Sequence, residues 1–355
     1  MTRVTFVMEQ HIGHQTYYQN LRRAVEQDGQ IEARWTEVTY RGASRLLDRL
    51  PGLPVHVRGT LQGMVQVRRA LTAGAYDIAF FNTQVPAALA ARLVRRRPYI
   101  VATDITPLQY DQMSHHYGHK ADQGGPLAAY KHRVNVALFR GAAHLLPWSS
   151  WVRDSLIRDY GVSPTKIEVV PPGVDLHLWT PGARQADGPL RILFVGGDFQ
   201  RKGGETLLRA FRALPTGTAE LHLVTRTPIE PEAGIHTYYH LKPNTPELIA
   251  LYQRSTVFVL PTEAEAFGIA AIEASAAGLA IVATAVGGLV DIVAEGESGF
   301  LIPPSDSTVL SQCLARLSAD PALCACLGRA ARACAESRFD AQRNAARVRH
   351  HLHTR

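Results

Sequence analysis

Short apolar runs of four to eight residues recur along this chain, with room for one helix between successive runs. Runs of that length, closed by glycine, proline or polar turns, read as strands buried on both faces of a parallel sheet. In the first half they predict strands over 3–8, 31–38, 76–82, 99–102 and 144–147, with an extended stretch over 166–170. Helical spacing of apolar residues predicts helices over 16–27, where Tyr17, Leu21 and Val25 share a face, and over 61–73, 87–95 and 127–140. Another helix is expected over 151–160, with Ser149 and Ser150 as its cap candidates. Residues 108–126 are polar, lack a period and read as a loop.

The second half restarts the alternation. Strands are expected over 190–195, 221–224, 236–241, 257–260 and 279–283, and a hairpin-like turn and strand over 297–303. Helices are expected over 205–214, 245–253 and 268–277, two over 306–336, and a last one over 340–352. Residues 257–288 show the rhythm most cleanly. An apolar run ends at Pro261, a polar loop follows, Gly268 opens a small-residue helix, Gly278 closes it, and a second apolar run leads into Gly287-Gly288. Residues 180–189, rich in proline, glycine and polar side chains, read as a linker. The implied architecture is α/β, with two doubly wound parallel-sheet domains facing each other across a cleft, over 1–180 and 181–338, and a closing segment over 339–355.

With 46% apolar and 19% charged residues the composition is ordinary for a globular chain. No apolar run has the length that spans a bilayer, and the opening MTRVTFVMEQH turns polar too early for a signal peptide. Cys313, Cys324, Cys326 and Cys334 lie in alanine-rich helical surroundings with one C-x-C and no second pair, a pattern that favours buried structural thiols over a metal site. A reduced, cytoplasmic chain is the expectation. The net charge of +7 lies entirely in residues 1–180, with Arg92, Arg95, Arg96 and Arg97 as its densest cluster and Arg68-Arg69 as a second. Any one cluster reads as a solvated helix end. The asymmetry as a whole suits an acidic lipid surface or an anionic substrate. With no zinc-finger spacing and no basic run interleaved with aromatics, a nucleic-acid partner is not expected.

Candidate chemistry gathers at predicted strand ends, where open α/β sheets bind ligands. Gly196-Gly197 follows one strand and leads into Arg201-Lys202-Gly203-Gly204 and a helix. Glycines let backbone N–H groups approach an anion and two cations neutralise it, although an ordinary helix start fits as well. Glu265 precedes the helix that contains Glu273. Alone, that spacing fits a loop charge and a solvated helix residue better than a ligand site. Beside a helix N-terminus, carboxylates aimed at hydroxyls would suit a ligand carrying both phosphate and sugar. In the first half, Thr103-Asp104 ends a strand, and His115, His116 and His119 crowd one loop, as a metal or proton site or as a mobile surface. The dinucleotide signature G-x-G-x-x-G is absent after the first strand, and the glycine loop is not a Walker sequence.

Taken together, Pro171-Pro172-Gly173-Val174-Asp175, Phe194-Val195-Gly196-Gly197 with Arg201-Lys202-Gly203, Leu260-Pro261-Thr262-Glu263, Glu265-Ala266-Phe267-Gly268 through Glu273-Ala274, Ala277-Gly278, Gly287-Gly288 and Ser298-Gly299-Phe300-Leu301 stand in a familiar order. This half of the chain resembles the donor domain of retaining glycosyltransferases of family 4 (glycosyl transferases group 1), which have the GT-B fold. The resemblance implies that Arg201 and Lys202 hold a donor diphosphate beside Gly196 and Gly197. It implies that Glu273 accepts ribose hydroxyls and that Glu265 contacts the transferred sugar. The backbone from Ala266 through Phe267, Gly268 and Ile269 would cap phosphate or hydroxyls. Gly13 would sit in a loop roofing the diphosphate, and the final helix would cross back to the first domain. The family commonly carries a histidine after the strand 99–102, where this chain has Thr103-Asp104. Asp104 would take its place, or a histidine from 115–119 would fold in.

The implied activity is transfer of a sugar from a nucleoside-diphosphate sugar to a hydroxyl of a saccharide, glycolipid or small molecule, with retention. No cofactor and no metal are expected, since no D-x-D stands in the expected place. Peripheral membrane contact through the basic first half fits a lipid-linked acceptor. A sugar-nucleotide epimerase of the same fold and a silent nucleotide-sugar-binding scaffold remain as alternatives, the latter because of the missing histidine. A nicotinamide oxidoreductase lacks its fingerprint.

Overall fold

A computed structural model describes every residue except 11, 45–53, 119, 122–123, 184–187 and 354–355. The chain divides into two compact units. The first comprises Met1–Gln112, Lys120–Pro172 and Ala341–Arg355, and the second Met113–His119 and Gly173–Asp340.

The first unit is built on a parallel sheet of β1 (Thr2–Glu9), β2 (Ile31–Val38), β3 (Ile78–Phe81), β4 (Tyr99–Thr103) and β5 (His144–Pro147), in the order β2-β1-β3-β4-β5. β1 is buried from Val4 to Glu9 and pairs residue for residue with β2 from Thr2↔Ile31 to Glu9↔Val38. β2 lies at the edge, and its middle is only partly buried. The chain runs from β1 outward to β2, then crosses to β3 on the other side. The switch point between β1 and β3 is where such a sheet opens a crevice at its carboxyl end.

The second unit repeats the plan with six strands: β6 (Leu190–Val195), β7 (Ala219–Val224), β8 (Ile235–Tyr238), β9 (Val257–Leu260), β10 (Ala280–Thr284) and β11 (Gly299–Ile302). Their order is β11-β10-β9-β6-β7-β8, all parallel, so the switch point lies between β6 and β9. β9 and β10 are buried along their whole length. The helix Ile269–Ala276 is buried over nearly all its length and packs on the helix Pro321–Arg338, where the backbones of Gly278 and Gly328 come into contact. Small residues make that close approach feasible.

Several sequence expectations are corrected. The first helix begins at Ile12, four residues early, so Gly13 is an exposed residue of its first turn and not part of a loop. The stretch expected as a loop over 108–126 is largely helical among its described residues. Helices occupy Pro107–Gln112 and Ser114–Tyr117, and the next spans Gly125–Gly141. Both short helices are polar and carry no apolar period to read. The helix expected over 87–95 is two, Gln84–Leu89 and Ala91–Val94, broken at Ala90. Residues 166–170 make only an isolated bridge, Leu145↔Ile167, followed by a bond from Val170 N to Pro147 O. β11 runs parallel to β10, so the turn before it does not make a hairpin. Ser149 caps the helix Ser150–Arg158 by accepting from Val152 N, while Ser150 is its first residue. Cys324 is buried but Cys326 is exposed. Part of the expected linker lies outside the described residues. Before it, Thr180 accepts from Gln253 Nε2, and Trp179 packs edge-on against Tyr252 in the second unit.

The last helix, Ala341–His353, belongs to the first unit and packs on Ile12–Glu26. Val348 and Leu352 are buried, and Glu168 accepts from Arg347 Nε at 2.8 Å and meets His351 Nε2 at 2.5 Å. Burial pushes the Glu168 carboxyl up, but the bonds from His351 and Arg347 outweigh it and hold it below the usual carboxylate value of 4.5. A depressed carboxylate contributes stability above its unfolded value, and loses it as pH falls through the folded one. Glu168→Gln is therefore expected to lower stability at pH 7 by about 1 kcal/mol, discounted because the carboxylate is 40% exposed. The difference from wild type should close below about pH 4. Denaturant titrations across that range measure it.

Candidate functional site

The loops after β6 and β9 lie side by side, because those strands pair at Ile192↔Val257 and Leu193↔Phe258. After β6 the chain passes Gly196 and Gly197 into a turn that carries Arg201 and Lys202, then enters the helix Gly204–Arg212. After β9 it passes Pro261 and the Ala264–Phe267 loop, then enters the helix Ile269–Ala276 from Gly268. Neither helix has a side-chain cap on its first-turn N–H groups. Two uncapped helix N-termini on one sheet edge form an environment suited to anions.

The two loops are joined by several contacts. Lys202 Nζ donates to the Glu265 carboxylate in a part-buried ion pair. Arg201 donates from its guanidinium to Ala264 O at 2.9 Å, and its own carbonyl accepts from Glu263 N at 2.9 Å. Its Nε faces Asp198 Oδ2 at 3.3 Å, and the guanidinium lies 4.8 Å from the ring centre of Tyr117. Gly203 has φ +77°, and a side chain there would overlap the Pro261 carbonyl. Gly287, at φ +54°, lies against the carbonyl of Glu265 in the same way, and Gly288 N donates to Ala266 O at 3.1 Å. These glycines are required by close backbone approach as well as by φ. Phe267 is buried and packs edge-on to Phe339.

Glu273 lies one turn into its helix and is buried. Burial pushes its carboxyl up to about 7, against a bond from Tyr252 Oη to Glu273 Oε2 at 3.1 Å that favours the ionised form. Tyr252 belongs to the helix Pro246–Arg254, and nothing in the sequence pattern marks it as a partner.

In the first unit, the ends of β1, β3 and β4 carry a second group of buried polar residues. Asn82 accepts from Glu9 N at 2.7 Å and donates to Glu9 O at 3.0 Å, and Tyr40 Oη donates to the Glu9 carboxylate at 2.5 Å. Thr103 Oγ1 donates to Gln84 Oε1 at 2.5 Å. Asp104 is paired with His14 at 3.4 Å. Sequence reasoning passed over His14, although its position in the first strand-to-helix turn was a usable signal. His115 and His116 are exposed and touch each other edge to face; His119 lies outside the described residues. The structure thus brings Arg201, Lys202 and Glu265 together with Gly196, Gly197 and the 266–269 backbone on one sheet edge. Gly13, His14 and Asp104 stand at the strand ends of the other unit.

The model of glycosyl transferases group 1 matches residues 189–320, and that of Glycosyltransferase Family 4 matches residues 13–178. Among curated proteins, D-inositol 3-phosphate glycosyltransferase 1 of Catenulispora acidiphila is 32% identical over 214 residues, 52% of this chain and 51% of that protein. The D-inositol 3-phosphate glycosyltransferase of Thermobifida fusca is 32% identical over 194 residues, 47% of this chain and 45% of its own length. The chain thus spans about half the length of the curated relatives it matches. Among solved structures, sucrose-phosphate synthase from Thermosynechococcus elongatus has a TM-score of 0.78 at 19% identity, covering 99% of this chain and 98% of that one. HepE of Anabaena, solved in complex with UDP-glucose, has a TM-score of 0.72 at 18% identity, covering 99% of each chain. With its two parallel-sheet units, the chain belongs to the group 1, family 4 glycosyltransferases and has their Rossmann-like GT-B fold.

Proposed function

We propose that the protein transfers a sugar from a nucleoside-diphosphate sugar to a hydroxyl acceptor, with retention at the anomeric carbon. The observation that carries this reading is the switch point of the second unit. There Arg201, Lys202 and two uncapped helix N-termini meet Glu265 on the edge of one sheet. An entering diphosphate competes with Glu265 for Lys202, and the displaced carboxylate becomes an acceptor for sugar hydroxyls. As the anomeric bond breaks, charge grows on the leaving diphosphate, and fixed cations and dipoles stabilise it without reorganisation. The reading assigns this task to Arg201, Lys202 and the helix ends, and requires no metal ion. Glu273 takes the ribose hydroxyls, and Asp104 takes the acceptor hydroxyl in place of the family's histidine. The names of HepE's ligand and of the curated relatives make UDP-sugars and D-inositol 3-phosphate the first probes of donor and acceptor.

The test is a binding and transfer screen with UDP, GDP, ADP, dTDP and CDP and their sugars, with and without EDTA. One nucleotide should raise the melting temperature as mass action requires, and product should form equally in EDTA. Lys202→Ala and Arg201→Ala should each lower turnover about a hundredfold. Wild-type turnover in both variants removes the phosphate site, and a donor bound but neither transferred nor hydrolysed points to a scaffold.

Glu273 generates a second expectation. Its raised value means the neutral form is favoured on folding, so its contribution is intact below about 4.5 and is lost as pH rises through about 7. Glu273→Gln should therefore be more stable than wild type at pH 8, by up to about 3 kcal/mol, with the gap closing toward pH 5. The same variant should bind nucleotide at least tenfold more weakly. Denaturant titration and calorimetry read the two effects separately.

Peripheral contact with acidic lipid is part of the same proposal. Arg92, Arg95 and Arg96 are exposed, whereas Arg97 donates to Tyr76 O at 2.6 Å. Replacing the first three by glutamine should reduce co-sedimentation with phosphatidylglycerol vesicles several-fold. Unchanged sedimentation assigns any contact elsewhere.

A further inference from the structure

His14 and Asp104 come from opposite sides of the first unit's switch point, the one following β1 and the other β4, with β3 between them. His14 is 7% exposed, and its ring lies 5.0 Å from that of Trp148. Its Nε2 faces Asp104 Oδ2 at 3.4 Å, and its Nδ1 is buried with no hydrogen-bond partner among the described residues. Asp104 is the more open of the two, with its side chain 18% exposed. Among the described residues, the charged groups facing the imidazole are Asp104 from the end of β4 and Glu9 from the end of β1, the latter already holding the Tyr40 hydroxyl. Tyr17, on the same helix as His14, is pushed up by burial and stays neutral.

This arrangement suits one task and not another. An imidazole with one nitrogen on a carboxylate and the other sealed from solvent has no exit for a proton, so it is poorly placed as a relay. It is well placed to hold the carboxylate in one orientation. Burial alone lowers His14, but the Asp104 and Glu9 carboxylates more than offset it and leave the imidazole above its ordinary value. An imidazole nitrogen behind Asp104 fixes the orientation of that carboxylate, whose oxygens are hydrogen-bond acceptors.

We propose that His14 is the positioning residue of the acceptor side, fixing the Asp104 carboxylate as a hydrogen-bond acceptor for the attacking hydroxyl of a polyhydroxylated substrate. The assignment rests on the glycosyl-transfer reading above. In the step it serves, the acceptor oxygen bonds to the anomeric carbon and the bond from that carbon to the diphosphate oxygen breaks with its electron pair. The hydroxyl proton passes to the departing diphosphate. Asp104 orients the hydroxyl, and neither Asp104 nor His14 changes protonation state. Relative to the histidine expected after β4, the order is inverted, with the carboxylate in front and the imidazole behind.

The test pairs turnover with a direct titration. In His14→Gln, transfer to the acceptor found by the screen, or to water where hydrolysis is the only turnover, should fall at least tenfold. The dissociation constant for the nucleotide should stay within twofold. The loss should fall on kcat more than on the KM of the acceptor, because a hydroxyl bound but poorly oriented reacts more slowly. Nitrogen-15 NMR of the wild type should place His14 above its ordinary value, and Asp104→Asn should lower it by about one unit. A His14→Gln enzyme with the wild-type kcat overturns the proposal. So does a His14 titration that Asp104→Asn leaves unmoved, and that measurement stands even where His14→Gln fails to fold. A wild-type protein that binds no nucleotide and turns over no donor overturns the transfer reading, and the role of His14 with it, while the titration still reports whether the pair exists.

Discussion

Burial of the central strands on both faces is the constraint from which the rest follows. β3, β4, β9 and β10 show no solvent-facing side, so their side chains are committed to packing and their backbone groups to the ladder. Polar chemistry is then confined to the strand ends. Where the strand order reverses, two neighbouring ends diverge and leave room for a ligand. Both units place their unusual polar residues at that reversal: Arg201, Lys202 and Glu265 by β6 and β9, and Glu9, His14 and Asp104 around β1, β3 and β4. The apolar core and the candidate chemistry are two outcomes of one packing rule.

Within the second unit, the cations that would meet an anion are already engaged by carboxylates and a carbonyl. Such pairing lowers the cost of holding like charges close together. The contact of Gly203 with Pro261 O and of Gly287 with Glu265 O fixes the loops that carry these groups, so the charges move on a rigid frame. Glu273 is the exception, held in a buried position where its ionised form is costly. A residue kept at such a cost is a usual mark of function.

Legibility in the sequence followed the physics of each element. Strands such as 144–147, 190–195 and 257–260 were readable to the residue, because a largely buried apolar run leaves little freedom in its limits. The helices Pro107–Gln112 and Ser114–Tyr117 were not readable, since polar residues without a period carry no helical signal. In the same way, the helix Val55–Thr72 starts six residues before its expected onset, in turns that show no apolar stripe. The glycine, acid and base spacings of the second unit could be read as a group because they cluster within single loops. Partnerships across the sheet could not. Tyr252 with Glu273 and His14 with Asp104 depend on which strands are neighbours, and strand order is a tertiary property.

The closing helix belongs to the first unit, while the second is inserted into the chain ahead of it. As the polypeptide leaves the ribosome, the six-stranded unit is therefore available in full before the five-stranded one. The surface that receives Val348 and Leu352 stays uncovered until residues 341–353 emerge. A fragment ending at Pro172 would carry that bare apolar surface permanently, whereas joining residues 341–353 to it by a short tether would supply the missing piece. Synthesis of residues 1–355 thus begins the five-stranded unit before the six-stranded one and completes it after.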